Sequence, residues 1–340
     1  MHADRLRAGE ATGRAAVQLI RSKITPRQVV TPAAVENALR VLLAIGGSTN
    51  AIIHLTAIAG RLGLDVPLAR LNELSETTPV LGNLKPTGQH YMEDFYAAGG
   101  MSAVLREIKP LLNLDCISVT GETLGERLQA ENDLYVDHAV IRPANDPVES
   151  VGGLVALFGS LAPRGAILKR SAADKSLFES EGRAVVFESL QDLALRIDRD
   201  DLEVTPADFL VLKNAVPTSG SGMPEAGYLP IPGKLARAGV KDMVRISDAR
   251  MSGTAFGKVV LHVTPEAAAG GTLALVQNGD RIAISVSKRR IDLLVDETEL
   301  ARRRQAFRPA ADRPARGYAK LYADHVLQAD QGCDFDFLQG

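Results

Sequence analysis

The stretch TLALVQNGDRIAISVSKRRIDLLVD, residues 272–296, alternates short runs of aliphatic and β-branched residues with turn-forming residues such as Asn278 and Gly279. Such spacing is typical of short strands separated by turns. Similar runs precede it in the second half of the chain: RGAILK (164–169), RAVVFES (183–189), DFLVLKNAV (208–216), DMVRISDA (242–249) and KVVLHVTP (258–265). We therefore predict that this half is mostly β-sheet, arranged as a barrel or a sandwich with a few helices.

The first half has a mainly helical pattern up to about residue 137. The Thr31–Pro32 pair is a good helix start, and Gly46–Gly47 is a good stop. Ser48 or Thr49 then caps the next helix, so two helices meet at GGSTN. Backbone N–H groups at a helix N-terminus suit a carboxylate there. A tight interhelical turn without any ligand explains the same residues.

Both ends of the chain also have helical patterns. The first 23 residues are rich in arginine and could pass for a mitochondrial presequence, but they include Asp4 and Glu10. Their apolar residues suit an amphipathic surface helix instead. Near the other end two helices are expected, with Arg302–Arg304 interpreted as a solvated face.

The composition excludes several classes of protein. The 340 residues are 46% hydrophobic and 24% charged, which is typical of a globular protein of two domains. The 39 basic and 41 acidic residues give a net charge of −2, so no overall field attracts nucleic acid or an anionic membrane. The most apolar segment, 41–60, is interrupted by GGSTN and cannot span a bilayer. We expect a small-molecule partner.

The domain boundary is placed where the helical pattern gives way to short strands, near IRPANDPVES. Residues 1–145 are assigned to a helix-rich domain, and residues 146–340 to a β-barrel-like domain with C-terminal helices. The two cysteines, Cys116 and Cys333, are 217 positions apart (333 minus 116). This distance argues against a disulfide framework and for a reducing compartment, which makes the cytoplasm the expected location.

Two polar segments could carry chemistry. SGSGMPEAGYLPIP (219–232) presents Glu225 from a glycine-containing loop fixed by Pro224, as a ligand of a hard cation should be. SDARMSG (247–253) brings Ser252 to the end of a strand, where the following glycine leaves room for a ligand beside the hydroxyl. A serine at such a position is usually only a turn residue. The two segments therefore have weight only if they meet in space.

Four motifs, in this order and spacing, resemble one enzyme family. GGSTNAIIHL (46–55), MEDFYAAGG (92–100), GMPEAGYLPIP (222–232) and RISDARMSGTAFG (245–257) are similar to segments of the dihydroxy-acid and sugar-acid dehydratases. That family includes dihydroxy-acid dehydratase and phosphogluconate dehydratase. SDARMSGT and YLPIP are more similar to the branch that acts on pentonates such as arabinonate or xylonate. The resemblance implies an α/β fold, in which the helix-rich remainder of an α/β domain precedes a β-barrel-like domain of the swivelling type.

The resemblance also implies a hydro-lyase that removes water from a 2,3-dihydroxy acid to give a 2-keto-3-deoxy acid. In that scheme a [2Fe-2S] cluster takes the C3 hydroxyl, Mg²⁺ binds the substrate carboxylate and C2 hydroxyl, and a serine alkoxide removes the C2 proton. Carried over by motif, Ser252 is that base and Glu225 is a magnesium ligand. The further candidate substrate contacts are Ser48, Thr49, Asn50 and Arg250. A homo-oligomer, either a dimer or a tetramer, is implied as well.

The chain departs from the family at its N-terminal side, where relatives carry the cluster cysteines and most magnesium ligands. Two distant cysteines cannot hold an iron–sulfur cluster alone, so no cluster ligand is expected in this chain. Cys116 is interpreted as a buried small hydrophobe. A smaller departure is TSGSG (218–222), where relatives often have Gly-Gly-Pro-Gly. Three readings stay open: the C-terminal portion of a hydro-lyase, a non-catalytic remnant or binding module, and a barrel subunit of an aconitase-like enzyme.

Overall fold

A computed structural model describes residues 3–131, 135–215, 217–219, 229–251, 257–308 and 314–340. The α-helices in these ranges are α1 Ala3–Ser22, α2 Pro26–Val29, α3 Pro32–Ala44, α4 Asn50–Gly60, α5 Leu68–Thr77, α6 Met92–Ala97, α7 Gly100–Glu107, α8 Leu124–Ala130, α9 Leu190–Arg196, α10 Gly233–Arg237, α11 Glu297–Ala306 and α12 Gly317–His325. The strands are β1 Leu154–Leu157, β2 Gly165–Lys169, β3 Glu179–Phe187, β4 Phe209–Leu212, β5 Arg245–Ser247, β6 Val259–Thr264, β7 Arg281–Ser285 and β8 Arg290–Leu293.

The strands form one mixed sheet in the order β1-β2-β6-β5-β4-β3-β7-β8. The four central strands β3 to β6 are parallel, and the outer pairs are antiparallel. The two edges of the sheet nearly meet beyond β1, because the backbone N–H of Phe158 donates to Arg289 O (2.9 Å) and Ile291 N–H donates to Phe158 O (2.9 Å). The sheet is therefore a nearly closed barrel rather than a sandwich, while the swivelling type of the domain stays a prediction.

Strands β1, β4, β5 and β6 are buried on both faces, whereas β7 and β8 alternate between buried and partly exposed residues. In β1, Val155 and Leu157 belong to the interior cluster, whereas Leu154 and Ala156 belong to a second cluster on the outside. In β4, the alternation is the same: Phe209 and Val211 lie in the interior cluster, and the other two residues pack outside. Burial on both faces explains why strands such as β1 and β4 are continuous apolar runs instead of alternating ones.

The helical half packs against the outer face of β1 and β2. Leu43 of α3 and Leu71 of α5 share an apolar cluster with Leu154 and Ile167. The hydroxyl of Ser75 at the end of α5 donates to Leu154 O at 2.7 Å. The helices before residue 131 and the strands after residue 153 therefore form contacting layers, and the division after residue 145 stays a prediction.

The predicted helix boundaries at the GGSTN corner are confirmed. The Thr31 hydroxyl accepts a hydrogen bond from Ala34 N–H (3.2 Å) and caps α3, which ends at Ala44. Gly46 follows with a φ of +63°, which a glycine adopts without steric cost. Helix α4 begins three residues beyond the glycine pair at Asn50.

The predicted N-terminal surface helix is also confirmed, because α1 has no buried residue. In the part of the chain that the structure covers, no helix has the length and apolarity needed to cross a membrane. The interpretation of Arg302–Arg304 as a solvated face is wrong for Arg303. Its side chain is only 10% exposed and pairs with Asp280 (3.0 Å) and Glu299 (2.8 Å). Arg302 is 66% exposed, as expected.

Candidate active site

The two segments that could carry chemistry lie in neighbouring connections of the barrel. One connects β4 to β5 and the other connects β5 to β6. Because these strands are parallel, each connection must return from the carboxyl end of the strands to the amino end. Glu225 and Ser252 lie outside the described residues, in the ranges 220–228 and 252–256. The residues on either side of both ranges are described.

At the carboxyl end of the strands, one carboxylate joins the starts of both connections. Asp248 follows β5 directly, and its side chain accepts hydrogen bonds from Ala215 N–H (3.1 Å) and Ala267 N–H (3.0 Å). Asp248 is fully buried, and this burial raises the pKa of its carboxyl to about 7. The chain that leaves β4 is thereby attached to the chain that leaves β5.

A second buried carboxylate fixes the residues just before the range 220–228. Glu266 accepts hydrogen bonds from the Thr218 N–H (3.0 Å) and hydroxyl (2.8 Å), and from the Gln328 amide (2.6 Å). Burial raises the pKa of the Glu266 carboxyl. The described chain therefore reaches the range 220–228 from a residue that a buried carboxylate holds in place.

At the amino end, one buried ion pair holds the other ends of both connections. Arg245 and Asp242 are 5% and 6% exposed, with 3.3 Å between guanidinium Nη2 and carboxylate Oδ1. The Arg245 guanidinium also donates to Leu229 O (3.2 Å), the residue directly after the range 220–228. Asp242 accepts a hydrogen bond from Lys258 N–H (2.8 Å), two residues beyond the range 252–256. Both ranges are thus bounded by shared anchors.

The GGSTN corner of the helical half reaches the same region. The Asn50 amide donates a hydrogen bond to Met251 O at 3.0 Å, and Met251 directly precedes Ser252. Asn50 is itself held by its backbone N–H, which donates to the Ser48 hydroxyl (3.2 Å). Thr49 is buried beside it. Asn50 therefore contacts Met251, the last described residue before Ser252.

Arg250 and His262 each have a buried side-chain nitrogen near the residues that precede Ser252. The Arg250 Nε and the His262 Nε2 are buried and have no hydrogen-bond partner within the described ranges. His262 has a φ of +57°, and its backbone N–H donates to Ala249 O at 3.2 Å. Burial and the Arg250 charge lower the pKa of the His262 imidazole to about 3, so the ring is neutral.

Arg250 could be recognised from the sequence as a candidate site residue. The other buried polar residues of this region were not predicted: Asp242, Asp248, Glu266 and His262. The only available signal was a charged or imidazole side chain within or beside an apolar strand, as for His262 in VVLHVT. That signal alone does not distinguish a buried anchor from a solvated residue, because burial depends on distant parts of the chain.

Two family profiles match the chain. The profile described as dihydroxy-acid/6-phosphogluconate dehydratase C-terminal covers residues 139–333, and the corresponding N-terminal profile covers residues 1–127. The chain belongs to this dehydratase family. The barrel, its two parallel connections and the anchors described above are therefore features of a dihydroxy-acid/6-phosphogluconate dehydratase family member.

Individual relatives are similar over nearly the whole chain. L-arabinonate dehydratase of Rhizobium leguminosarum bv. trifolii (strain WSM2304) is 46% identical over 333 residues, which are 97% of this chain and 57% of the relative. L-arabonate dehydratase of Azospirillum brasilense is 49% identical over 322 residues, 92% of this chain and 55% of the relative. 6-deoxy-6-sulfo-D-gluconate dehydratase of Pseudomonas putida is 46% identical over 336 residues, which are 98% of this chain and 58% of the relative. The chain thus spans a little over half the length of these dehydratases.

The cysteines of this family member do not fit an iron–sulfur cluster. Both are described and free, and burial raises the pKa of each thiol, that of Cys333 to about 12. Cluster ligands are thiolates, which raised pKa values disfavour. Cys116 is half-buried, so its interpretation as a buried hydrophobe is only partly right. Across the described ranges, no three His, Cys, Asp or Glu side chains form a group that could hold a metal ion.

Proposed function

We propose that this chain supplies the proton-abstracting face of a hydro-lyase, which converts a 2,3-dihydroxy sugar acid into a 2-keto-3-deoxy acid. The observation that carries the proposal is the pair of shared anchors. Asp248 joins the starts of the two connections, and the Arg245–Asp242 ion pair joins their ends. Segments bounded in this way favour a common cavity for Glu225 and Ser252.

In this proposal the Ser252 side chain accepts the proton from C2 of the substrate as its alkoxide, which becomes the hydroxyl. A serine hydroxyl is too weak a base at neutral pH unless positive charge or hydrogen-bond donors stabilise its alkoxide. The guanidinium of Arg250, two positions earlier, is the nearest charged group in sequence, and its buried Nε lacks a partner in the described ranges. Asn50 orients the turn through Met251 O.

Glu225 would supply one oxygen ligand to Mg²⁺, which when bound stabilises negative charge on the substrate. One carboxylate does not make a magnesium site, and the cysteines do not fit a cluster. We therefore do not assign the removal of the C3 hydroxyl to any described residue of this chain. The proposal therefore requires that residues other than the described ones bind the [2Fe-2S] cluster and supply the remaining magnesium ligands.

The first substrates to test are pentonates. Two of the similar proteins are named for arabinonate or arabonate, and a third for a six-carbon sulfonated acid. Sugar acids of five or six carbons are therefore the proposed class. We further propose a cytoplasmic homo-oligomer without nucleic-acid or membrane partners. The near-neutral charge of the chain favours the absence of these two kinds of partner.

A second candidate function is a non-catalytic remnant or binding module. It is favoured by the two cysteines, which do not fit a cluster. Under this reading the chain binds a sugar acid but does not dehydrate it.

One experiment separates the two functions. The chain is reconstituted anaerobically with iron, sulfide and Mg²⁺, alone and mixed with the N-terminal segment of L-arabinonate dehydratase that the match leaves out. Formation of 2-keto acid from L-arabinonate and D-xylonate is then measured. Activity that disappears in Ser252→Ala, but persists in the control Ser287→Ala, would support the hydro-lyase. A chain that is folded, colourless and inactive, both alone and in the mixture, would support the non-catalytic remnant or binding module.

A further inference from the structure

A cavity of about 630 Å³ lies between the GGSTN corner and the end of β2. We call it the lysine cavity, and its defining residues are Gly46, Gly47, Ser48, Lys85, His90 and Lys169. Lys169 is the last residue of β2, and Ser48 precedes α4 by two positions. The cavity is therefore bordered by both the barrel and the helical half.

The lysine cavity carries positive charge that no described lining residue neutralises. The half-buried Lys169 ammonium forms neither an ion pair nor a side-chain hydrogen bond with any residue of the described ranges, and burial lowers its pKa. The Lys85 ammonium donates to the Tyr91 hydroxyl (2.6 Å) and lies 3.8 Å from the centre of the Tyr91 ring. Neither the hydroxyl nor the ring of Tyr91 carries a negative charge. The described lining includes no Asp or Glu.

A second cavity of about 590 Å³ provides the contrast. Its described lining contains two arginines and a lysine, but also Glu76, Glu149 and Glu179. Glu76 pairs with both arginines, and Glu149 pairs with Lys175 at 2.8 Å. Charges that are already paired inside a cavity leave little electrostatic gain for a ligand. The lysine cavity does not have this internal compensation.

Hydrogen bonds connect both described ends of the serine-bearing segment to residues that lie near the lysine cavity in sequence. Upstream, Asn50 contacts Met251 O and is in turn held by Ser48, which lines the cavity. Downstream, the backbone N–H of Gly257 donates to Ala172 O at 2.9 Å, three residues after Lys169. The range 252–256 thus begins and ends beside residues that border the cavity or are close to it in sequence.

We propose that the lysine cavity binds an oxyanion group of the sugar acid, with Lys169 as the principal contact and Lys85 as the second. This inference deepens the proposed function and rests on it. A half-buried ammonium without a counter-charge gains most from a ligand that brings one, because desolvation has already been incurred in the free protein. A carboxylate or a terminal phosphate or sulfonate supplies the same chemistry.

Binding of four ligands to this chain distinguishes the source of the anion. L-arabinonate offers only a carboxylate, sorbitol 6-phosphate offers only a terminal phosphate, 6-phosphogluconate offers both, and L-arabinitol is neutral. Isothermal titration is performed on the parent chain, on Lys169→Met, and on Lys288→Met as a control at an exposed lysine outside the cavity. Thermal melting of each variant confirms that it is folded.

We expect Lys169→Met to weaken binding of at least one anionic ligand about tenfold or more, while Lys288→Met binds as the parent does. A loss confined to L-arabinonate and 6-phosphogluconate assigns the cavity to the carboxylate. A loss confined to sorbitol 6-phosphate and 6-phosphogluconate assigns the cavity to the terminal phosphate, at the end of the sugar acid opposite the carboxylate. Equal binding of every anionic ligand by both lysine variants, binding of all three anionic ligands no tighter than that of arabinitol, or no binding of any anionic ligand overturns the inference.

Failure of this inference and failure of the proposed function are distinguishable. Lys169-dependent binding without Ser252-dependent formation of 2-keto acid would overturn the hydro-lyase and leave the anion site in place. Turnover that depends on Ser252, with unchanged KM and binding in Lys169→Met, would overturn the anion site and leave the hydro-lyase in place.

Discussion

The barrel and the helical half contribute to the candidate site by different physical means. The barrel anchors its two connections with buried charges, namely Asp248 and the Arg245–Asp242 pair. The helical half reaches the same turn through a neutral hydrogen bond from Asn50. Breaking a buried charge pair is costly because one charge stays buried, whereas a neutral hydrogen bond contributes much less. We therefore expect the barrel anchors to control stability, and the helical corner mainly to control the site.

The largest effect is expected for Asp242→Asn, which removes the carboxylate beside the buried Arg245. The free energy of unfolding should fall by about 3–5 kcal/mol, measured by urea denaturation. The matched control is Asp201→Asn, which breaks an exposed pair with Arg199 (2.7 Å). Because exposed pairs contribute little, the control should change stability far less. Equal losses in the two variants would contradict the role of the barrel anchor.

The next effect is expected for Gly257→Ala. A Cβ at this position would overlap Asp242 Oδ1 and the Arg245 guanidinium, whereas a Cβ at Gly239 meets nothing within 4 Å. Both glycines have a positive φ, +100° and +92°, so the control Gly239→Ala shares the backbone strain. Overpacking should make Gly257→Ala less stable than Gly239→Ala by up to about 3 kcal/mol. Similar melting temperatures of the two variants would show that the Arg245–Asp242 pair can shift at little energetic cost.

A pH-dependent effect is expected from His262. Its folded pKa of about 3 lies below the unfolded value of about 6.5. The neutral ring therefore contributes stability that is complete above pH 6.5 and is lost as the pH falls towards 3. Between pH 7 and pH 5 the parent should lose about 2 kcal/mol more than His262→Asn, in which asparagine tolerates the positive φ. Parallel pH profiles of unfolding would refute the depressed pKa.

The smallest effect on stability is expected for Asn50→Ala, because it removes a neutral hydrogen bond at the helical corner. A loss of about 1 kcal/mol is expected, together with a clear fall in Ser252-dependent activity. The control Asn83→Ala removes two neutral side-chain hydrogen bonds away from Met251, one donated to Ala139 O (3.2 Å) and one accepted from Gln89 N–H (3.1 Å). A loss as large as that of Asp242→Asn would remove the distinction between the barrel and the helical half.

Local features of the fold could be predicted from the sequence. Thr31 and Gly46 mark helix ends through capping and positive φ, which depend only on a few neighbouring residues. The strand pattern alone left a barrel and a sandwich open, because Phe158 and Ile291, which bring the edges of the sheet together, are distant in sequence. Arg303 was misinterpreted for the same reason, since its partner Asp280 lies 23 residues earlier, in the connection before β7.

The candidate site shows the same limit. The motifs around Glu225 and Ser252 were found from turn residues and family resemblance, and their positions remain a prediction. The anchors Asp242, Asp248 and His262 were missed, because whether such a residue is buried or solvated depends on the packing of other strands.

The sequence by itself determined the strand runs, the helix ends and the family, since periodicity, caps and motifs are properties of contiguous residues. Only the tertiary structure decided that Asn50 meets Met251 and that one ion pair holds two connections. It alone also showed that Lys169 borders a cavity whose described lining lacks an acidic residue. The physical reason is that burial and charge pairing arise between residues that chain folding, not sequence proximity, brings together.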